Sequence, residues 1–152
     1  MHQQRSRCMK LANSGAGITS CGRVRRSRSW IAYSSTETAR EEVYVAPFPG
    51  RAGKIYPVSV NGGRLPRWRR DGKELFFLSN DRKLMSAEVQ AVNGGLQFGA
   101  PRTLLPVQVK TLVFGWPYDV SPDGNRFLMT VATATTEPSM TVLVNWPALL
   151  KK

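Results

Sequence analysis

Catalysis by a protein side chain needs a nucleophile or a base, and this sequence supplies few candidates for either. Its only histidine is His2, at the second position of the chain. Serine and cysteine nucleophiles are usually activated by a histidine that a folded scaffold holds close to them. A Ser-His-Asp or Cys-His arrangement is therefore excluded for the body of the chain. The sequence predicts a protein that is not an enzyme and has no catalytic residues.

Two glycine-containing segments share some features with nucleotide-binding loops. Gly50-Arg-Ala-Gly-Lys54 resembles a phosphate loop, but that motif has four residues between its glycines and Ser or Thr after the Lys, whereas here two intervene and Ile55 follows. Gly15-Ala-Gly17 has neither a strand pattern before it nor a helix pattern after it, as a dinucleotide-binding fingerprint requires. We predict a hairpin loop at the first segment and no bound cofactor.

Metal-ligating residues are sparse. Glu41 and Glu42 are adjacent, and neighbouring side chains of a strand point to opposite faces. Asp119 and Asp123 flank a predicted turn and could meet a cation, although a solvated turn is the favoured interpretation. The two cysteines, Cys8 and Cys21, provide neither a disulfide framework nor a four-ligand zinc site. The sequence predicts no metal site.

Composition places the chain among globular proteins. It has 152 residues, of which 41% are hydrophobic and 9% aromatic. The 22 Lys and Arg residues against 10 Asp and Glu give a net charge of +12, a balance that often indicates nucleic acid as a partner. Seven of those bases lie within residues 1–29, which contain no acid, so the rest is only mildly basic. Nucleic acid is therefore not the favoured partner.

Membrane segments are not predicted. The stretch after Lys10 lacks the uninterrupted apolar run of a signal peptide. No window approaches the roughly 20 apolar residues of a membrane span. We expect no membrane insertion by this chain, and the sequence assigns no cellular compartment.

The periodicity of apolar residues predicts an all-β fold behind a tail. Residues 1–28 show neither a strand nor a helix period and are predicted to be a basic disordered tail. From residue 29 onward, short apolar runs alternate with Gly, Pro, Asn and Asp. The predicted strands lie at Trp30–Tyr33, Val43–Val45, Ile55–Val60, Leu75–Leu78, Leu84–Val89, Phe127–Val131 and Met140–Val144. Helix is confined to a turn at Trp146–Leu150.

The strands repeat at propeller-like intervals. Similar apolar runs begin at Trp30, Leu75 and Phe127, with separations of about 45 and 52 residues. A period of this length with four short strands is typical of β-propeller blades. Asp71-Gly72 and Asp123-Gly124 precede the second and third runs and predict tight turns. We predict an incomplete β-propeller of about two and a half four-stranded antiparallel blades. The expected blades are residues 29–63, 64–107 and 108–152.

The turns also carry a resemblance to a family. Val120-Ser-Pro-Asp-Gly-Asn-Arg-Phe127 and its variant Trp68-Arg-Arg-Asp-Gly-Lys-Glu-Leu75 resemble the TolB-like, or WD-repeat-like Pro-Asp, propeller repeat. Trp30 to Lys152 is similar to the C-terminal propeller of bacterial membrane-anchored serine/threonine protein kinases. That resemblance implies a sensor or interaction module. The sequence departs from the pattern at Gly22–Arg28, where the first repeat lacks its innermost strand, and the third repeat ends one strand short.

The basic stretch from Arg64 to Arg70 allows two interpretations. An arginine beside Trp68 could bind phosphate and stack a base. The favoured alternative assigns Leu65 and Trp68 to the core and places three arginines around the mouth of the channel: Arg67, Arg69 and Arg70. The tryptophans as a group are predicted to fill space between sheets.

These observations predict a non-enzymatic propeller module for protein–protein or ligand recognition, a fragment of a larger signalling protein. The alternative is an accessory propeller of a kinase or peptidase whose catalytic domain lies elsewhere; nucleic-acid binding through the tail is the least favoured. An incomplete ring should leave apolar faces uncovered. The expected faces carry Trp30, Tyr33 and Tyr44 at one end and Phe127, Met129 and Val142 at the other. We therefore expect a protein partner, the missing blades or self-association to cover them.

Overall fold

A computed structural model describes residues 18–24, 29–48, 53–107, 117–130 and 140–143. Every regular element in these segments is a β-strand, which confirms the all-β prediction. The strands are β1 (Ile18–Val24), β2 (Ser29–Ser35), β3 (Glu42–Phe48), β4 (Tyr56–Pro57), β5 (Arg64–Trp68), β6 (Glu74–Leu78), β7 (Lys83–Val92), β8 (Gly95–Phe98), β9 (Arg102–Pro106), β10 (Tyr118–Val120), β11 (Phe127–Thr130) and β12 (Met140–Leu143). The predicted turn at Trp146–Leu150 lies outside the described residues. No helix in the described segments is long and apolar enough to cross a membrane.

The strands form three antiparallel sheets, each made of consecutive strands. The first sheet has the order β1-β2-β3-β4, the second β5-β6-β7-β8 with β9 also paired to β7, and the third β10-β11-β12. Short connections between antiparallel neighbours keep each sheet local in sequence. The second sheet begins at Arg64, where the sequence predicts the second blade to begin.

Strand β1 lies in the segment that the sequence analysis assigned to a disordered tail. Ile18–Val24 pair with β2 from Ile18 opposite Ser35 to Val24 opposite Trp30. The segment lacks the alternation and the Pro-Asp-Gly turn by which a first strand is recognised. Backbone pairing needs neither, because the free edge of β2 offers donors and acceptors to any extended segment. The expectation that the first repeat lacks its innermost strand is therefore wrong.

The second sheet has five strands where the repeat predicted four. β7 is ten residues long and takes two partners in succession along one edge. Its first part pairs with β9, with a register shift between Leu84 and Met85, and Val89–Val92 pair with β8. A strand of this length twists considerably, so one straight partner does not follow it throughout.

Apolar side chains fill two cores, one on each side of the second sheet. The first core lies between the first and second sheets and contains Ala32, Val43, Val45, Val58, Leu75, Phe77, Ala87 and Val89. The second core lies between the second and third sheets and contains Phe76, Leu78, Leu84, Leu104, Val107, Tyr118, Phe127 and Met129. All five residues of β6 are buried, and because side chains alternate along a strand, β6 contributes to both cores.

The expected apolar end faces are correct for Tyr33 and Tyr44, which lie together on the outer face of the first sheet, and wrong for Trp30, Phe127 and Met129. Phe127 and Met129 are 0% and 2% exposed and belong to the second core. Trp30 packs against the first core, with its ring edge-on to Tyr56. Tyr33 lies on the other face of the first sheet and is only 8% exposed. Trp30 and Tyr33 are thus on opposite faces of the first sheet, so the expectation that they share one end face is wrong.

The outer face of the third sheet carries one exposed leucine. Leu128, between Phe127 and Met129, is 41% exposed and is opposite Val142 in the register of β11 and β12. Neighbouring side chains on a strand point to opposite faces. Leu128 therefore points away from the second core.

The first strands of the three sheets lie side by side. β5 is close to β1 on one side and to β10 on the other, although each belongs to a different sheet. The later strands of each sheet extend away from this line. The described sheets are thus stacked face to face, with their first strands gathered along one edge.

Asp71-Gly72 and Asp123-Gly124 form equivalent turns, as the sequence predicts. Gly72 and Gly124 have φ angles of 74° and 77°, and each donates its amide hydrogen to the carbonyl three residues earlier, at 3.0 and 2.9 Å. One turn joins β5 to β6, and the other joins β10 to β11. Positive φ is a conformation that glycine adopts without a Cβ clash.

The two turns also touch each other across the second core. A Cβ added to Gly124 would lie 2.4 Å from Cδ of Arg69 and 3.5 Å from Cζ of Phe76. The Arg69 side chain has little freedom to move aside, because its guanidinium is hydrogen-bonded to Asp71 and Glu74. Gly124 therefore allows the third sheet to approach the turn of the second.

We predict that Gly124→Ala lowers the free energy of unfolding by about 2 kcal/mol or more. About 1 kcal/mol comes from the left-handed backbone, and the remainder comes from displacing Arg69. Urea denaturation monitored by tryptophan fluorescence measures the loss.

Gly72→Ala is the matched control. Gly72 has nearly the same φ angle, so its replacement should cost the same conformational free energy without displacing Arg69. We expect it to cost less than Gly124→Ala. Equal losses for the two variants would show that the Gly124–Arg69 contact is not tight.

Candidate functional site

The basic stretch Arg64–Arg70 runs through β5 and into its turn, at the edge where the first strands gather. Trp68 pairs with Leu75 in the register and packs against the first core. Its indole Nε1 is buried and has no acceptor among the described residues. Trp68 is therefore a packing residue, as the favoured sequence interpretation predicts.

A bulge shapes the first half of β5. Arg64 is opposite Leu78 and Arg67 is opposite Phe76, so three steps on β5 match two on β6. The irregularity lies between Arg64 and Arg67. Within it, Leu65 has a φ of 56°, a conformation that is uncommon for a residue with a bulky side chain. Bulges of this kind redirect side chains and occur often beside functional sites.

Tyr118 holds the bulge in place. Its hydroxyl donates a hydrogen bond of 2.7 Å to the carbonyl oxygen of Leu65. Tyr118 is 2% exposed, and burial raises the pKa of its phenol well above the ordinary value. The phenol therefore remains a neutral donor, and it ties the first strand of the third sheet to that of the second.

Arg67 is directed toward the third sheet. Its Nε lies 3.7 Å from Oδ1 of Asp119, and its side chain is 22% exposed while that of Asp119 is 69% exposed. The ion pair links β5 to β10 at the surface. Ion pairs this exposed to solvent contribute little to stability. The pair nevertheless gives the positive charge of Arg67 a carboxylate partner.

Arg69 is held by two carboxylates. Its Nε and Nη2 each donate a 2.8 Å hydrogen bond to Asp71, and Nη1 donates a 3.0 Å bond to Glu74. The hydrogen bonds from Arg69 lower the pKa of Asp71 to about 2, and Asp71 in turn raises the pKa of Arg69. This bidentate pair makes Arg69 part of the turn rather than an open cation.

Glu74 is the buried member of this network, and sequence reasoning missed it. The residue is 5% exposed, and its Oε1 accepts hydrogen bonds from Ser86 Oγ and, at 3.4 Å, from Arg102 Nη2. A buried carboxylate is tolerated when partners surround it. The partners come from β7 and β9, so no local sequence signal identifies them.

Arg64 differs from its two neighbours on this stretch. It is half-buried, and its Nε, like that of Arg67, is buried without a hydrogen-bond acceptor among the described residues. Arg64 makes no ion pair with any of the described residues, whereas Arg67 is paired with one carboxylate and Arg69 with two. Of the partly buried guanidiniums on β5 and its turn, Arg64 is the one without a carboxylate.

The other carboxylates considered from the sequence serve local structure. Glu42 accepts hydrogen bonds from Ser59 Oγ and, at 2.9 Å, from the amide of Gly62. Asp119 pairs with Arg67 as described, and Asp123 accepts from the Asn125 amide at 3.2 Å within its own turn. No group of three or more metal-ligating side chains occurs in the part of the chain that the structure covers.

The glycine segments fall largely outside the described residues. His2, Cys8, Gly15–Gly17 and residues 50–52 are among those not described. Lys54 lies 5.3 Å from the centre of the Tyr56 ring. Lys54, the last residue of the segment that resembles a phosphate loop, therefore makes a cation–π contact with Tyr56.

Comparison with protein-family models gave no match. Comparison with curated proteins likewise gave no match.

We predict that Asp71→Asn reduces the pH dependence of stability in acid. The unfolded carboxyl has a pKa of 3.8 and the folded one about 2, so the Asp71–Arg69 pair stabilises the fold fully above pH 3.8. That stabilisation is lost as the pH falls through about 2. We expect it to be about 1 kcal/mol or less, because the Asp71 side chain is 38% exposed.

The measurement is the difference in unfolding free energy between wild type and Asp71→Asn from pH 5 to pH 2. The difference should shrink as the pH falls, and it should be smaller throughout in 1 M salt, where exposed pairs are screened. A difference that is independent of pH would mean that the ion pair does not form.

Proposed function

We propose that the chain is part of a TolB-like β-propeller and acts as a non-enzymatic recognition module for a protein or ligand. The observation that carries this proposal is the position of β5, whose neighbours are β1 and β10, the first strands of the two flanking sheets. In a propeller, the first strand of each blade lines the central channel, and the blades pack face to face around it.

Equivalence between the second and third sheets supports the same proposal. Each begins with a strand that turns through Asp-Gly into a second strand whose aromatic side chain, Phe76 or Phe127, is buried in the second core, and the two turns share their hydrogen bonding. Repeats that bury their apolar faces only against each other are typical of propellers and related repeat folds. Three such sheets are fewer than the four to eight blades of closed propellers, so the ring is completed by further blades.

Recognition rather than catalysis is favoured by how the polar side chains are used. Arg69, Asp71 and Glu74 are joined in one network, and Arg67 is paired with Asp119. These interactions stabilise turns and join sheets. The resemblance to the propellers of membrane-anchored kinases keeps a second proposal open, in which the module is the sensor of an enzyme whose catalytic domain lies elsewhere.

Nucleic-acid binding through Arg64–Arg70 is the weaker proposal. Single-strand binding sites combine exposed aromatic rings with free basic residues, and Trp68 packs against the first core instead. Binding through the basic residues near the N-terminus would show as an affinity for oligonucleotides that falls steeply with salt.

We predict that the full chain self-associates, because the third sheet is an end sheet of the proposed incomplete ring and carries an exposed apolar side chain on its outer face. Leu128, exposed on the outer face of the third sheet, should lie in the contact. Leu128→Lys is expected to weaken association at least about tenfold, because burying a leucine side chain is worth about 1.5–3 kcal/mol. Sedimentation velocity over a range of protein concentrations measures the association constant.

Ile55→Lys is the matched control, since Ile55 is 54% exposed but lies outside the sheet faces, before β4. It should leave the association constant unchanged. A wild-type chain that sediments as a monomer at every concentration and unfolds cooperatively would overturn the proposal of an incomplete ring.

A further inference from the structure

Two arginines of β5, Arg64 and Arg67, have a buried Nε without a hydrogen-bond acceptor among the described residues. Arg67 has the carboxylate of Asp119 at 3.7 Å, whereas Arg64 has no carboxylate partner among them. A buried polar hydrogen without an acceptor costs free energy, and the great majority of such groups in folded proteins are satisfied. The Nε of Arg64 is such a group. Arginine is also the side chain best suited to grip an anion with two oxygens, because its planar fork donates parallel hydrogen bonds.

The backbone around Arg64 is fixed on both sides. Before it, the amide of Gly63 donates a 2.8 Å hydrogen bond to the carbonyl of Glu41. After it, the carbonyl of Leu65 accepts from the Tyr118 hydroxyl. A side chain on so constrained a backbone loses little further freedom when it binds a ligand, which favours affinity.

The register places Arg64 on the side of β5 that faces the third sheet. It is opposite Leu78, which belongs to the second core, and directly opposed residues of antiparallel strands share a face. Arg67 lies on the same side, as its ion pair with Asp119 shows. Of the two arginines on this side of β5, Arg64 is the one that forms no ion pair with a described carboxylate.

We infer that Arg64 binds an oxyanion, a carboxylate or phosphate group, belonging to the ligand that the first strands recognise. This inference rests on the proposed recognition function and adds the chemistry of the ligand. Arg67 or Arg69 would have to give up a carboxylate to bind such a group, whereas Arg64 loses no hydrogen bond when its side chain turns toward one. The anion supplies the acceptor that the guanidinium lacks.

The test is a titration of the full-length, 15N-labelled chain, followed through the arginine Nε–Hε signals in proton–nitrogen NMR spectra. Acetate and inorganic phosphate are added separately, at constant ionic strength maintained with chloride. We expect the Arg64 signal to shift and saturate with at least one anion, while the Arg69 signal moves little. Saturation by acetate identifies a carboxylate site, and saturation by phosphate alone identifies a phosphate site.

Arg64→Lys keeps the charge but removes the fork, and it should weaken binding at least about tenfold, the loss expected for a charge-assisted hydrogen bond. Arg82→Lys is the matched control, because Arg82 is exposed, and it should leave the affinity unchanged. If Arg64→Lys does not fold, the wild-type titration still decides the matter. No saturable shift of Arg64, or equal shifts of all arginines, would overturn the inference.

The two proposals can fail separately. A chain that self-associates through Leu128 but shows no saturable Arg64 shift keeps the incomplete ring and loses the anion site. Saturable binding at Arg64 in a chain that is always monomeric keeps the anion site and removes the incomplete ring.

Discussion

The burial of β6 on both faces is the constraint on which the rest of the structure depends. All five of its residues are buried, with Leu75 and Phe77 in the first core and Phe76 and Leu78 in the second. A strand of this kind cannot face water on either side, so the second sheet needs a neighbour on each face. The Phe76 and Phe127 rings, 5.0 Å apart and nearly perpendicular, form one of these contacts.

The polar network at the start of β6 follows from the same burial. Glu74 is the first residue of the strand and is buried with it, so its carboxylate needs charged and hydroxyl partners. Arg69 approaches from the turn, Ser86 from β7 and Arg102 from β9. The turn, the strand and the sheet edge are thereby connected through one carboxylate. Breaking such a network by removing one partner costs more than its presence contributes, because it leaves a buried charge uncompensated.

Two contacts connect the second and third sheets, one at their first strands and one at their turns. The Tyr118 hydroxyl bonds the bulged backbone at Leu65, and Gly124 makes room for the side chain of Arg69. Both are close contacts that need a particular residue, and the first of them lies on β5, the strand that would line the proposed channel. A recognition surface on β5 would therefore rest on a backbone held from two sides. That rigidity favours binding of a ligand over rearrangement of the strand.

Local pattern in the sequence was enough to determine the all-β class, the positions of most strands and the Asp-Gly turns. Alternation and turn chemistry act over a few residues, so they are readable without tertiary information. The assignment of Trp68 to the core was likewise predictable, because a large ring within a strand pattern usually packs between sheets. The repeat also indicated that the second and third sheets should have equivalent turns.

Tertiary structure alone decided which face of each strand meets a neighbour. The sequence placed Trp30, Phe127 and Met129 on open end faces, whereas Phe127 and Met129 are in the second core and Trp30 packs on the first. Strand β1 was missed because its pairing uses backbone groups, which every residue has, and it needs no apolar pattern. The partners of Glu74 and the isolation of Arg64 were also beyond the sequence. Hydrogen bonds between distant strands depend on register and bulges, and those are fixed only when the sheets pack.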